Sequence, residues 1–150
     1  RLKIWDCPQI TEKTLIAIEK YTPGLISLSL QRLPSLFAIR IESILGNSYR
    51  PLRLGQLQRL NVSENIQCKE IAVQSRRLTQ ASLHHNPELS QLTLECQALE
   101  MLDLSYCTNF NKEALLKAIS NYQFTPYLNI LSTTVDSISL QFISQYGPHH

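Results

Sequence analysis

Glycine is scarce in this chain, four in 150 residues, and none stands in a glycine-rich loop that opens a helix. A phosphate-cradling loop needs such glycines to bring backbone N–H groups onto the anion, so phosphate chemistry is disfavoured. Charge of one sign is not in excess either. Fourteen Lys and Arg against twelve Asp and Glu leave a formal +2, and the basic residues are scattered. The clustered electrostatic footprint of a nucleic-acid binder is therefore missing. No apolar run approaches membrane-spanning length, and no signal peptide is visible. Cys-x-x-Cys is absent, which removes the usual sign of a structural zinc site.

What the chain has in quantity is leucine at fixed intervals. Leu57, Leu60 and Val62 are followed by Asn65 and Cys68. The order returns as Leu78, Ala81, Leu83, Asn86 and Leu89, and again as Leu99, Leu102, Leu104, Cys107 and Phe110. Each copy reads L-x-x-L-x-L-x-x-N/C-x-x-L, and the copies start at an even interval, at Leu57, Leu78 and Leu99. Within L-x-L the side chains alternate, so the leucines face a core while the residues between them face outward. One unit cannot bury its apolar face alone, so neighbours must stack. The Asn sits where the chain turns away, and its amide can satisfy backbone groups of adjacent turns. Cys is a weaker donor there but tolerates burial.

This pattern resembles leucine-rich repeats, each unit giving one short strand and a return segment. The strand, cysteine and helix arrangement near the start resembles the cysteine-containing class known from F-box proteins. The mixture of short and helical units resembles bacterial effector repeats. The resemblance implies an α/β fold: a right-handed solenoid with a parallel concave sheet and a convex side of mixed helices and extended segments. Residues 1–150 are expected to form one domain of about six units.

Unit by unit, Leu2, Ile4 and Cys7 belong to a first unit whose opening leucine would precede Arg1. The chain is accordingly expected to be a piece of something longer, with targeting information outside it. Thr11 is positioned to cap a helix to about Tyr21, with Leu15, Ile16, Ile18 and Tyr21 at helical spacing. The second unit starts at Leu25 and carries Leu33 in the Asn place, where the polar ladder should break. Pro34 suits the first turn of a helix running toward Leu45, with Phe37, Ile41, Ile44 and Leu45 on one face and Gly46 as its stop. In the short units, Ile71 and Val73 and then Leu92 and Leu94 alternate with period two, which predicts extended returns, and Leu52 and Leu54 occupy the matching place before them. Asn111 can cap a helix to about Tyr122. A sixth strand is expected at Leu128–Thr133, with Leu131 at the core position, Ile130 in the outward row of Met101, and a helix at 136–146 that either caps the array or belongs to an ordinary internal unit.

In this register the outward positions form columns. Those singled out as partner-binding are Trp5, Arg32, Arg59, Asn61, Glu64, His84, His85, Met101, Asp103 and Tyr106, of which Trp5, Arg59, Met101 and Tyr106 are the types that most often anchor interfaces. His84 and His85 are adjacent, and adjacent strand residues project to opposite faces unless the strand has already ended, which serves one metal poorly. No metal and no catalytic residue is expected. Cys107 should be buried in the turn ladder and unreactive. Cys7 and Cys107 lie four units apart, on the order of 19 Å at the strand spacing, so no disulfide is expected and a reducing, cytoplasmic setting fits.

The function expected is a protein–protein interaction module, not an enzyme. It needs no cofactor, and its partner is a protein rather than nucleic acid, membrane or small molecule. Three alternatives stay open. The chain could be the substrate-recognition part of an F-box-type ubiquitin ligase adaptor, an effector engaging a host protein, or the substrate-selecting part of an enzyme whose catalytic domain lies outside it.

Overall fold

The structure is a computed structural model that describes residues 1–42, 51–111, 113, 117, 127–130 and 133. It is α/β, with parallel strands in two sheets, neither of them closed into a barrel. The long sheet takes one strand from each unit: β1 (Leu2–Trp5), β2 (Ser27–Gln31), β4 (Arg59–Ser63), β6 (Gln80–Ser82), β8 (Met101–Asp103) and β9 (Tyr127–Asn129), stacked in chain order. The short sheet joins β3 (Ala38–Ile41), β5 (Glu70–Ser75) and β7 (Gln91–Cys96). Helix α1 (Glu12–Tyr21) forms the return of the first unit, and Glu113 and Lys117 of the fifth are helical. Among the described residues no helix is long and apolar enough to cross a membrane.

Alternation sets the core. Leu28 and Leu30, Leu60 and Val62, Ala81 and Leu83, and Leu102 and Leu104 are all buried, and Ile39, Ile41, Ile71, Val73 and Leu94 meet them from the short sheet. The strands are in strict register, Leu2 beside Leu28, Leu28 beside Leu60, Leu60 beside Ala81, Ala81 beside Leu102.

Where the chain leaves the long sheet, buried amides replace water. Asn86 Nδ2 donates to the Val62 and Leu83 carbonyls at 2.7 and 2.8 Å, and its Oδ1 accepts from the Asn65 N–H at 3.0 Å. Asn65 repeats the act one unit back, Nδ2 donating to Leu30 O and Oδ1 accepting from the Leu33 N–H. Cys107 Sγ donates to Leu83 O at 3.0 Å. Leu33 has no such group to offer, so the ladder stops there, as its side chain dictates.

Several expectations need correction. Residues 38–41 are strand β3, not part of a helix from Pro34. Ile39 and Ile41 are buried while Ala38 and Arg40 are only half-buried, a period-two pattern, and pairing with Ile71 and Val73 selects it. Ile44, Leu45 and Gly46 lie outside the described residues. The third extended return is therefore β3 and not Leu52–Leu54. Leu52 makes a single bridge to Ile41. That bridge gives a use to the extra chain of the second unit, which runs from Leu25 to Gln56. The first unit returns as a helix, so β3 has no strand on that side. Its edge is closed piecemeal: Glu12 Oε1 accepts the Phe37 and Ala38 N–H groups at 3.0 and 2.9 Å, and Leu52 pairs with Arg40 O and Glu42 N. An edge left open would offer unpaired backbone to other chains.

In α1, Leu15 and Ile18 are buried but Ile16 and Tyr21 are exposed, so the apolar stripe is narrower than expected. Thr14 Oγ1 accepts from the Thr11 N–H at 3.3 Å at its start. In the sixth unit the core position beside Leu102 belongs to Leu128, not Leu131, so the register is slipped toward the N-terminus. The expected helix at 136–146 lies outside the described residues, as does most of the one after Asn111.

Two substitutions test the packing and the ladder. Leu102→Ala should cost about 2–5 kcal/mol through the cavity it opens. Asn86→Ala strands the Asn65 N–H and removes the amide donor from Val62 O, while Leu83 O keeps the Cys107 thiol. At about 1–3 kcal/mol for each group left without a partner where no water replaces the amide, it should rival Leu102→Ala. Urea denaturation measures both, and a near-zero loss for either would contradict the register.

Candidate interaction surface

The candidate site is the outer face of the long sheet. Residues flanking the core leucines point away from them, and pairing lines them up in rows across the strands. One row runs Ser27, Arg59, Gln80, Met101, Tyr127; the next runs Lys3, Ser29, Asn61, Ser82, Asp103, Asn129. Tyr127 is 52% exposed, and the register expected from Leu131 as the core residue hides it by putting Ile130 in its place. The step along the chain from Leu2 to Leu28 equals the step from Leu102 to Leu128. Carrying the first unit's length over to the fifth is the signal that finds it.

A further row is not strand at all. Asp6, Arg32, Glu64, His85 and Tyr106 have φ values from 51° to 59°. They sit in the left-handed region just past the strand ends, where each N–H from Asp6 to His85 still bonds to the next unit. That conformation costs a residue with a Cβ roughly 1–2 kcal/mol, and glycine would avoid the cost. Here the side chains are used instead. Arg32 donates from Nε and Nη2 to the two Asp6 carboxylate oxygens at 2.8 and 3.2 Å, and from Nη1 to Glu64 Oε2 at 3.0 Å. Asp6 and then Glu64 raise the Arg32 guanidinium's affinity for its proton. Farther along, His85 stacks on Tyr106 with ring centroids 4.5 Å apart and 20° between planes.

His84 and His85 do not project to opposite faces. The strand has ended at Ser82, the chain turns, and the two Nδ1 atoms meet at 2.7 Å. One of them must carry the proton and the other accept it. Among the described residues no group of three or more His, Cys, Asp and Glu side chains could hold a metal ion.

The structure thus gathers Asp6, Arg32 and Glu64 in one ion-paired cluster, and His84, His85 and Tyr106 in one ring cluster. Arg59 and Asn61 on β4 are separated from Met101 and Asp103 on β8 by β6. Asp103 Oδ1 accepts from the Ser105 N–H and hydroxyl at 2.9 and 2.7 Å. Trp5, 52% exposed, lies four strands from Tyr106, 42% exposed, about 19 Å at the usual spacing, so these two do not share one patch. Asn61 Oδ1 is buried with no hydrogen-bond partner among the described residues.

Compared with models of known protein families, with curated proteins and with solved structures, the chain finds no match.

The four cysteines are free, and three are buried. Burial pushes the thiols of Cys68 and Cys96 up to about 12 and that of Cys107 up to about 11, from an ordinary 9.0. None of these three is an activated nucleophile. Because the folded thiols hold their protons above the pH at which unfolded thiols release them, stability is full below about pH 9 and falls as pH rises toward 11–12. Urea midpoints from pH 8 to 10.5 should show the decline, and it should be shallower in Cys96→Ala. A decline of the same slope in that variant would assign it to other groups.

Proposed function

We propose that the chain is a protein-binding module, a right-handed leucine-rich-repeat solenoid whose long sheet is the concave, partner-facing side. The observation that carries this reading is the long sheet itself. Six parallel strands stand in register while the return segments change from helix to strand, so the outward residues fall into straight rows. Right-handed crossing is the rule for parallel strands joined by such returns. Exposed Trp5, Tyr106 and Tyr127 on or beside this face are the side-chain types that anchor protein interfaces. Both charge signs are present, which suits a protein partner better than a polyanion. Buried, free thiols suit a reducing, cytoplasmic setting.

With a partner captured on the whole chain, calorimetric titration tests the face. Tyr106→Ala should weaken binding by more than about 1 kcal/mol, roughly fivefold or more, because the stacked ring is a rigid anchor. Lys117→Ala, on the exposed helical return, should leave affinity unchanged. Equal losses, or a loss at Lys117 alone, would move the binding surface to the other side.

A further inference from the structure

The cations of the long sheet's outer face fall into two kinds. Arg32 is neutralised between Asp6 and Glu64. Arg1, Lys3 and Arg59 are exposed, and among the described residues no carboxylate or other polar group bonds their side chains. Register gathers these three. Leu2 lies beside Leu28 and Ser27 beside Arg59, so Arg1, Ser27 and Arg59 stand in one row across β1, β2 and β4, and Lys3, Ser29 and Asn61 in the next. Adjacent strands lie about 4.8 Å apart and same-face residues about 6.6 Å apart along a strand. The cationic side chains, all long, therefore surround the middle strand within reach of one anion.

In these two rows the middle strand adds no bulk and no counter-charge. Its residues there are serines, half-buried Ser27 and buried Ser29, whose hydroxyls can donate, and its third outward residue, Gln31, lies one row on and donates to Ser63 Oγ. The buried end of the Asn61 amide is its acceptor Oδ1, so what the amide offers to solvent is its donor end. Both nearby carboxylates, Asp6 and Glu64, are already engaged by Arg32 at the far end of the strands. The cations, the serine hydroxyls and the Asn61 amide can all donate, and among the described residues no free carboxylate stands in these two rows beside Arg1, Lys3 and Arg59.

We propose that this corner of the long sheet seats an acidic side chain of an extended partner segment, held over Ser27 and Ser29 by Arg1, Lys3 and Arg59. The inference rests on the reading of the long sheet as the partner-binding face and adds the chemistry of what it binds. Guanidinium groups match the two-oxygen geometry of a carboxylate or a phosphate. The cationic ground does not continue. From Arg59 the row passes through Gln80 to half-buried Met101 and exposed Tyr127. A polyanion would find cations for one or two charges only. A peptide crossing the strands meets apolar surface about 10–14 Å beyond Arg59, or roughly three to four extended residues. The partner is therefore an acidic residue or pair followed at that distance by an apolar or aromatic one.

The test needs no captured partner. A fluorescein-labelled ten-residue peptide with two glutamates, then a leucine and a tryptophan three and four positions later, is titrated with the whole chain by anisotropy. Binding should weaken at least tenfold in Arg59→Glu and in Lys3→Glu, and severalfold in the milder Arg59→Gln and Lys3→Gln, with circular dichroism unchanged. It should weaken as salt rises and be absent for the peptide with lysines in place of glutamates. A twin carrying phosphoserine at the same places decides which anion is preferred. Wild-type affinity in all four variants, equal affinity for the lysine peptide, or tighter binding of a ten-nucleotide RNA would each overturn the proposal. The broader reading fails separately. If the peptide does not bind while Tyr106→Ala still weakens a captured partner, the face stands and the acidic segment does not.

Discussion

A backbone that bends inside a protein must find partners for its N–H and C=O groups without water, and the rest of this fold depends on how that is done. Asn65 and Asn86 each reach across one unit boundary, donating to a carbonyl and accepting from an N–H. An amide can do both at once; a hydroxyl or thiol of similar size cannot span the same pair as well. Because each amide bonds its neighbour's backbone, the strands are locked at one offset, and the leucines of successive units meet at the same depth. Cys107 supplies half of this function, a single Sγ donor to Leu83 O. Leu33 supplies none of it and contributes packing alone. The polar ladder is thus strongest in the middle units, where the returns are thinnest.

The same regularity explains what the residues disclose in advance. Leu-x-Leu alternation and the even spacing of Leu57, Leu78 and Leu99 carry strand positions directly, since the alternation is a local consequence of a period-two backbone. The return of the second unit is not legible in this way. Phe37, Ile41, Ile44 and Leu45 satisfy a helical spacing, while Ile39 and Ile41 satisfy an extended one. What decides between them is the presence of Ile71 and Val73 alongside, on a strand of the following unit. Leu128 and Leu131 pose a similar choice, and register with Leu102 settles it for Leu128. Local pattern fails where two solutions are both locally good and a distant strand chooses.

For the candidate surface, the columns are legible but their chemistry is only partly so. Asp6, Arg32 and Glu64 can be seen to share a column. That they share one guanidinium follows from the left-handed turn that aims all three side chains along the row. The adjacency of His84 and His85 misleads for the same reason, since alternation holds only while the strand lasts. Arg1 and Lys3 escape notice in the sequence because a lone surface cation says little. They acquire meaning only once Arg32 is seen to be paired and Arg59 is brought into their row.

The long second unit shows how such a surface stays intact while the chain behind it changes. A longer return costs little by itself, because closure entropy grows only slowly with loop length. The larger danger is the open edge of β3, and the extra residues answer it by folding Leu52 back onto Ile41 while Glu12 of α1 takes the Phe37 and Ala38 N–H groups. With the edge closed on the return side, β2 and β4 remain nearest neighbours in the long sheet, and Ser27 keeps its place beside Arg59. The insertion therefore leaves the rows of the outer face unbroken. Substitution of outward residues perturbs no leucine of the core and no amide of the ladder. Fold and recognition are carried by alternate residues of the same strands, so the recognition face can change its chemistry with little cost to the core.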